Sequence, residues 1–134
     1  MKFKTFTLIT VIAILLTACG SIGEDSLKGT SWELYAISKH PPIDGSHITL
    51  KFEDGQVSGN SGCNSFGGDY KVNGDKIEFG MMMSTLMACA DPAMMDQETS
   101  FMQMLGKAQR FELADDQLLV YGSGDEALTF VPVD

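Results

Sequence analysis

Short segments in which apolar and polar residues alternate recur along most of the chain. Trp32, Leu34 and Ala36 alternate with other residues, and Ile48, Leu50 and Phe52 repeat the pattern. A period of two places the apolar residues on one face of a β-strand, so both segments are predicted strands. Further predicted strands contain Gln56–Gly59, Tyr70 and Val72, Ile77 and Phe79, Met81–Thr85, Phe111 and Leu113, Leu118–Tyr121, and Leu128–Phe130.

Turn-forming residues separate these strands. Asp54-Gly55 and Asn73-Gly74 are tight-turn sequences that predict hairpins. Asp115-Asp116 predicts a further turn, and the proline-rich segment from residue 40 to 45 predicts a loop. The segment from Gly59 to Tyr70 is rich in glycine and asparagine, which tolerate positive φ. It is therefore predicted to be a sharply folded connection rather than a regular strand.

One helix is predicted between these strands. Asp91 is a suitable N-cap, and Pro92 stands at the first helical position, where its missing N–H is not needed. Asp96 and Glu98 lie toward the positive end of the helix dipole. An apolar stripe is predicted to pack against the sheet or to line an apolar pocket. It consists of Met94, Phe101 and Leu105, widened by Met95 and Met102.

The predicted fold is mainly β. Seven or eight short strands joined by tight turns favour an antiparallel sheet, and such a sheet loses its open edges when it curls into a barrel. The helix is then expected to cross one open end of a small antiparallel β-barrel.

The first residues have the features of an export signal. Lys2 and Lys4 precede an uncharged run from residue 6 to 18 that is too short for a membrane span of about 20 residues. The run ends in Leu16-Thr17-Ala18-Cys19, which resembles the bacterial lipobox. The resemblance implies that Cys19 is multiply acylated, which would anchor the protein stably. The alternative is an ordinary signal with a chance cysteine at its end.

This prediction divides the chain into a signal peptide (1–18), a lipidated tether (19–28) and one domain (29–134). Because no aspartate follows Cys19, the expected location is the outer membrane of a Gram-negative bacterium, facing the periplasm. Removal of the signal leaves 7 basic and 18 acidic side chains, hence a net charge of −11. That charge argues against nucleic acid as a partner and against adhesion to anionic lipid. A monomer is expected.

A family resemblance joins several motifs. The segment from Gly62 to Tyr70 resembles the G-C-N-x-F-x-G-x-Y signature of the META domain, the group that includes the HslJ-like lipoproteins. Gly29–Trp32, Thr85–Cys89 and the spacing of Met95, Glu98, Phe101 and Leu105 support it. The motif residues are Gly62, Cys63, Asn64, Phe66, Gly68, Tyr70, Thr85, Met87 and Cys89.

The resemblance implies a small β-barrel crossed by a helix, similar to certain lipid-binding pilot lipoproteins of secretion systems. It also implies a link to heat shock, antibiotic tolerance, and motility or secretion, and it brings no established enzymatic activity. With Cys19 assigned to lipid, Cys63 and Cys89 are the remaining thiols, and an oxidising periplasm favours a disulfide between them. Two reduced, buried cysteines are the alternative.

Candidate chemistry is sparse. The two histidines, His40 and His47, lie in or beside the proline-rich loop, and no nucleophile-elbow motif accompanies them. Eight methionines fall between residues 81 and 104. Thioethers bind Cu(I), although methionine also fills cores and adaptable apolar pockets. The leading hypothesis is a non-catalytic envelope lipoprotein without cofactor or metal that binds an apolar ligand or a partner protein. A Met-rich copper-binding lipoprotein is the alternative, and a hydrolase is the least favoured.

Overall fold

A computed structural model describes residues 26–134, so the predictions for the signal peptide and for Cys19 lie outside the described residues. Within this range the chain forms nine strands and one helix. The strands are β1 (Ser31–Ile37), β2 (Thr49–Phe52), β3 (Gln56–Asn60), β4 (Ser65–Asn73), β5 (Lys76–Phe79), β6 (Met83–Ser84), β7 (Arg110–Ala114), β8 (Gln117–Tyr121) and β9 (Ala127–Pro132). The helix α1 spans Pro92–Gly106, between β6 and β7.

Eight strands close into an antiparallel barrel, which confirms the predicted fold. They follow the order β3-β2-β1-β9-β8-β7-β5-β4, and pairing between β3 and β4 closes the ring. The two-residue β6 is additional and pairs with Phe66 and Gly67 of β4. The pairing of neighbouring barrel strands is shortest between β5 and β7, which share one register pair, Lys76 and Arg110. Closure removes the open edges that a flat sheet of this size would expose.

The alternating residues face inward as predicted. Trp32, Leu34 and Ala36 are buried on β1, and Leu50, opposite Trp32 on β2, is fully buried. The inward residues of the other barrel strands join the same core, which includes Phe52, Val57, Phe66, Tyr70, Ile77, Phe79, Phe111, Leu118, Val120, Leu128 and Phe130. A single apolar core therefore fills the barrel.

The predicted hairpin turns are also present. Gly55 and Gly74 have φ values of 71° and 65°, a region that glycine occupies without steric cost. Asp115 and Asp116 have φ values of 50° and 59° and form the two-residue connection between β7 and β8. Positive φ at both central residues matches the twist of the flanking strands.

The glycine-rich segment differs from the prediction. Only residues 61–64 form a turn, with Gly62 at φ 125°, and everything from Ser65 onward belongs to the nine-residue strand β4. Gly67 and Gly68 are extended, so neither is explained by positive φ, and at Gly68 close packing explains the glycine instead. A Cβ atom on Gly68 would lie 2.7 Å from the Met81 carbonyl oxygen and 2.8 Å from the Met82 Sδ. The prediction of an irregular connection was wrong because glycine serves close approach as well as positive φ.

The helix begins as predicted. The Asp91 Oδ1 accepts a hydrogen bond from the Ala93 N–H at 2.9 Å, and Pro92 is the first helical residue. Phe101 and Leu105 are fully buried, and Phe101 makes edge-on ring contacts with Phe66 and Phe130. These contacts place the helix against the barrel core.

The apolar stripe is narrower than predicted. Met94 and Met102 are partly buried, but Met95 is 45% exposed, so its predicted burial was wrong. At 100° per residue, Met95 lies about 120° around the helix from Phe101, and the barrel covers only one side of the helix. Phe101 and Leu105, which were predicted to line a pocket, have no exposed surface. Both belong to the packed core.

Candidate functional site

Glu98, on the second turn of α1, lies against the turn between β3 and β4. Its Oε2 accepts hydrogen bonds from the Ser61 hydroxyl at 2.8 Å, the Cys63 N–H at 3.1 Å and the Asn64 N–H at 2.9 Å. Its Oε1 accepts a fourth from the Asn64 side-chain amide at 2.6 Å. One carboxylate therefore accepts the hydrogen bonds of N–H and O–H donors in a tight turn. A neighbouring strand cannot reach these donors.

Asn64 extends this network to a third segment. Its Oδ1 accepts hydrogen bonds from the Thr85 hydroxyl at 2.9 Å and from the Met87 N–H at 2.7 Å. Its Nδ2 donates to the Met87 carbonyl at 3.2 Å as well as to Glu98. The orientation of the amide is fixed, since reversal would place donors against donors. Asn64 is 4% exposed, and such a buried polar side chain requires partners of this kind.

These contacts lower the pKa of Glu98. Burial of the carboxyl acts in the opposite direction and would raise the pKa, because it disfavours the charged form. The hydrogen bonds from the side chain and backbone of Asn64, from Ser61 and from Cys63 outweigh it. Glu98 is therefore ionised in the folded protein at neutral pH, and its negative charge is used within the fold.

A disulfide between Cys63 and Cys89 confirms the predicted bridge. The two Cα atoms are 5.7 Å apart, within the usual range of about 4.4–6.8 Å. The bridge joins the β3–β4 turn to the segment that precedes α1. Together with the Asn64 and Glu98 hydrogen bonds, it holds residues 85–89 against the barrel.

The motif residues thus have structural roles. Phe66 and Tyr70 are core residues, and the Tyr70 hydroxyl donates to the Glu53 carbonyl at 2.9 Å. Gly62, Cys63 and Asn64 form the turn that contacts Glu98. Thr85, Met87 and Cys89 form the segment bonded to that turn. The sequence prediction placed Glu98 toward the positive end of the helix dipole and missed its role as hydrogen-bond acceptor. The motif spacing that includes Glu98 was a signal, but it did not identify Asn64 as the partner.

The segment from residue 81 to 87 and the outer side of α1, which bears Met95, present apolar side chains to solvent. Met81 is 87% exposed, Met83 76%, Leu86 97%, Met87 59% and Met95 45%. We call these five residues the methionine surface. The backbone that bears them is fixed, since Met83 pairs with Gly67 and Met87 is hydrogen-bonded to Asn64. The surface is therefore an ordered apolar feature of the outer face of the protein.

A groove adjoins this surface on the outer wall of the barrel. Its lining includes Met81, Met83, Gln56 and Asp69. Gly67 and Gly68 form part of its floor, and its volume is about 450 Å³.

The residues suited to catalysis or metal binding are not grouped. His47 is exposed and faces the Glu33 carboxylate at 2.9 Å, and both thiols within residues 26–134 form the disulfide. In that range, no three His, Cys, Asp or Glu side chains are positioned to hold a metal ion together. None of the described helical structure has the length and apolarity that a membrane crossing needs.

Comparisons with known proteins agree on fold and family. The family described as META domain matches residues 25–134. No curated protein matches the chain. An NMR structure of a protein from Burkholderia xenovorans is 26% identical, with a TM-score of 0.67, over 82% of this chain and 86% of that one.

Two further solved structures are more distant. A second NMR structure is 22% identical, with a TM-score of 0.68, over 82% of this chain and 94% of the other. The crystal structure of a DUF4847 family protein from Bacteroides vulgatus is 14% identical, with a TM-score of 0.56, over 81% of this chain and 95% of the other. These two show a likeness of fold alone.

Proposed function

Because this chain belongs to the META domain family, which brings no established chemistry, we propose that it is a non-catalytic binding protein of the bacterial envelope. The methionine surface contacts a partner protein. The observation on which this proposal rests is the exposure of Met81, Met83 and Leu86 on a segment fixed by a disulfide and by the hydrogen bonds of Thr85 and Met87 to Asn64.

Apolar area that is exposed to water is unfavourable in free energy. Contiguous apolar patches on a soluble surface mark interaction sites, because their burial against a partner is favourable by about 25 cal/mol per Å². Methionine is unbranched and polarizable, so it adapts to partners of different shape. A fixed backbone lowers the entropy cost of binding, since only side chains need to be ordered.

An apolar ligand inside the barrel is less well supported. Phe101 and Leu105 are fully buried where the helix meets the core. One cleft of about 570 Å³ lies beside the short pairing of β5 with β7. Its lining includes the apolar residues Val72, Ile77 and Ala108 and the lysines Lys71 and Lys76. A partner protein bound on the outer face explains why the methionines are exposed. An apolar ligand inside the barrel does not explain it.

The proposed anchor agrees with this placement. The chain enters the domain beside the end of β2, since Gly29 donates its N–H to the Phe52 carbonyl at 2.8 Å. The helix covers the opposite end, where the Gln97 Oε1 accepts a hydrogen bond from the Ile43 N–H at 2.7 Å, shortly before β2 begins. An anchor at Cys19 would hold the domain by the end at which Gly29 enters, and the methionine surface runs from that end, where Met81 and Glu53 line one groove, to the helix end, where Met87 is bonded to Asn64.

The anchor is tested by changing Cys19. Membrane fractionation of Cys19→Ala should show unprocessed or soluble protein, because the acylation site is lost. The unchanged protein, processed in parallel, provides the membrane-bound reference. Retention of the variant in the outer membrane at the level of the unchanged protein would show that the lipid anchor is absent.

The partner is tested by site-specific photo-crosslinking in cells. A photoreactive amino acid at Leu86, which is 97% exposed, should form a covalent adduct with an envelope protein. Tyr35, which is 60% exposed on β1, is the matched control position and should form none. Met83→Gln should reduce the Leu86 adduct. The proposal fails if Leu86 gives no adduct, or if both positions give the same one.

Copper binding is the second candidate, and the exposed thioethers of Met81, Met83 and Met87 are the observation that favours it. Anaerobic Cu(I) titration should then find a tight site that disappears when Met81, Met82 and Met83 are replaced by leucine. A titration without a tight site removes this candidate.

A further inference from the structure

The methionine surface lies in a stretch of chain without basic side chains. No lysine, arginine or histidine occurs between Lys76 and Lys107, whereas the same stretch contains Glu78, Asp91, Asp96 and Glu98. Asp91 and Asp96 are exposed on either side of Met95 in sequence, and neither forms an ion pair with another described residue. The apolar area therefore has a negative border at the helix.

The groove beside Met81 and Met83 has acidic residues as well. Asp69 lines it and accepts a hydrogen bond from the Gln56 side chain at 2.6 Å. Glu53 also lines the groove and forms an ion pair with Lys51 at 2.8 Å, and Lys71 lies opposite Glu78 in the β4–β5 register. Asp69 forms no ion pair with another described residue, so it is the carboxylate that gives the groove its negative charge.

We propose that the methionine surface binds a cationic amphipathic helix of a partner protein. This inference rests on the proposed function and names the chemistry of its partner. The apolar face of such a helix would cover Met83, Leu86 and Met87, and its lysines or arginines would lie near Asp91 and Asp96. Apolar adaptability and opposite charge are the features that this mode of recognition uses.

The negative charge of the protein favours a cationic helix over an acidic partner or an anionic lipid surface. A net charge of −11 for the chain after residue 18 repels an acidic partner and an anionic lipid surface. A partner of opposite charge is attracted from a distance, and its association rate falls as salt screens that attraction. The affinity should therefore depend on both apolar contact and ionic strength.

The test uses calorimetric titration of the purified Cys19→Ser chain, which lacks the proposed acylation site. The probe is a synthetic helical peptide with leucine on one face and lysine on the other. A peptide with glutamate in place of each lysine, and a scrambled lysine–leucine peptide of the same composition, are the matched controls. Binding of the lysine peptide should weaken about tenfold or more between about 0.05 M and about 0.5 M salt.

Variants assign the binding to the surface. Met83→Gln combined with Leu86→Gln should abolish binding of the lysine peptide, and Asp91→Asn combined with Asp96→Asn should weaken it about tenfold. Tyr35→Gln, which changes a large side chain that is 60% exposed on β1, should leave it unchanged. Circular dichroism and a thermal melt establish that each variant is folded.

Several results would overturn the proposal. Equal binding of the glutamate or scrambled peptide would show that the surface does not select a cationic amphipathic helix. Binding to vesicles of zwitterionic lipid that is lost in the Met83→Gln and Leu86→Gln variant would show a membrane-facing surface instead. A Leu86 adduct in cells without any peptide binding would leave the proposed function standing and refute the inference. Absence of both would refute both.

Discussion

Replacement of Glu98 by glutamine tests the structural network that supports the methionine surface. The carboxylate accepts four hydrogen bonds from Ser61, Cys63 and Asn64. A glutamine side chain can place its oxygen in the Oε2 position, but its amide then faces the Asn64 amide, donor against donor. Asn64 cannot reverse, because its Oδ1 accepts from Thr85 and Met87.

The expected loss follows from the change in bond type. Hydrogen bonds to a charged group contribute about 1.5–3 kcal/mol each, against about 0.5–1.5 kcal/mol for neutral pairs. Three bonds weaken and one is lost, while the desolvation cost of the charge disappears, so Glu98→Gln should lower the free energy of unfolding by about 2–4 kcal/mol. With a urea m-value of about 1–3 kcal/mol/M, the denaturation midpoint should fall by on the order of 1 M.

The pH dependence provides an independent check. The pKa of Glu98 is lowered on folding, so its stabilisation is fully present above the unfolded-state value of about 4.3 and is lost as the pH falls through the folded-state value. The difference between the unchanged protein and Glu98→Gln should therefore be constant near neutral pH and shrink in acid. Asp96→Asn removes the same charge from an exposed position on the same helix and is the control. Equal midpoints for the unchanged protein and Glu98→Gln at pH 7 would refute the reasoning.

Three further predictions concern the core and the bridge. Phe101→Ala should destabilise the domain by about 3–5 kcal/mol in urea denaturation, whereas Met95→Ala on the exposed side of the helix should cost less than about 1 kcal/mol; similar costs would show that Phe101 is not a core residue. Gly68→Ala should cost about 1–3 kcal/mol because its Cβ would meet the Met81 carbonyl at 2.7 Å, and Gly124→Ala, with no neighbour within 4 Å, is the control. Reduction of the disulfide, which closes a separation of 26 residues, should cost about 3.5 kcal/mol in the chain-entropy treatment, and an unchanged midpoint would contradict it.

The strands and the helix were predictable because burial imposes a period on the sequence. Alternation at Trp32, Leu34 and Ala36 indicates a strand with one buried and one solvent-exposed face. The eight longer strands of the described residues all belong to the same barrel. The N-cap at Asp91 was predictable for a local reason, since its hydrogen bond reaches only to Ala93.

The site was only partly predictable because it depends on contacts between distant residues. Asn64 and Glu98 are 34 positions apart, and no local pattern pairs them. Apolar periodicity also does not distinguish a methionine that enters the core from one that covers the outside. Met94 and Met95 are adjacent in sequence, yet Met94 is partly buried and Met95 is largely in solvent, because only the barrel position decides which side of the helix is covered.

The exposed methionines are proposed to bind a cationic amphipathic helix. The most direct measurement is NMR of the methionine methyl groups, recorded while the lysine–leucine helical peptide is titrated into the protein. We expect the resonances of Met83 and Met87 to shift or broaden, while those of the partly buried Met102 and Met104 do not. Perturbation confined to Met102 and Met104, or no perturbation of any methionine, would contradict it.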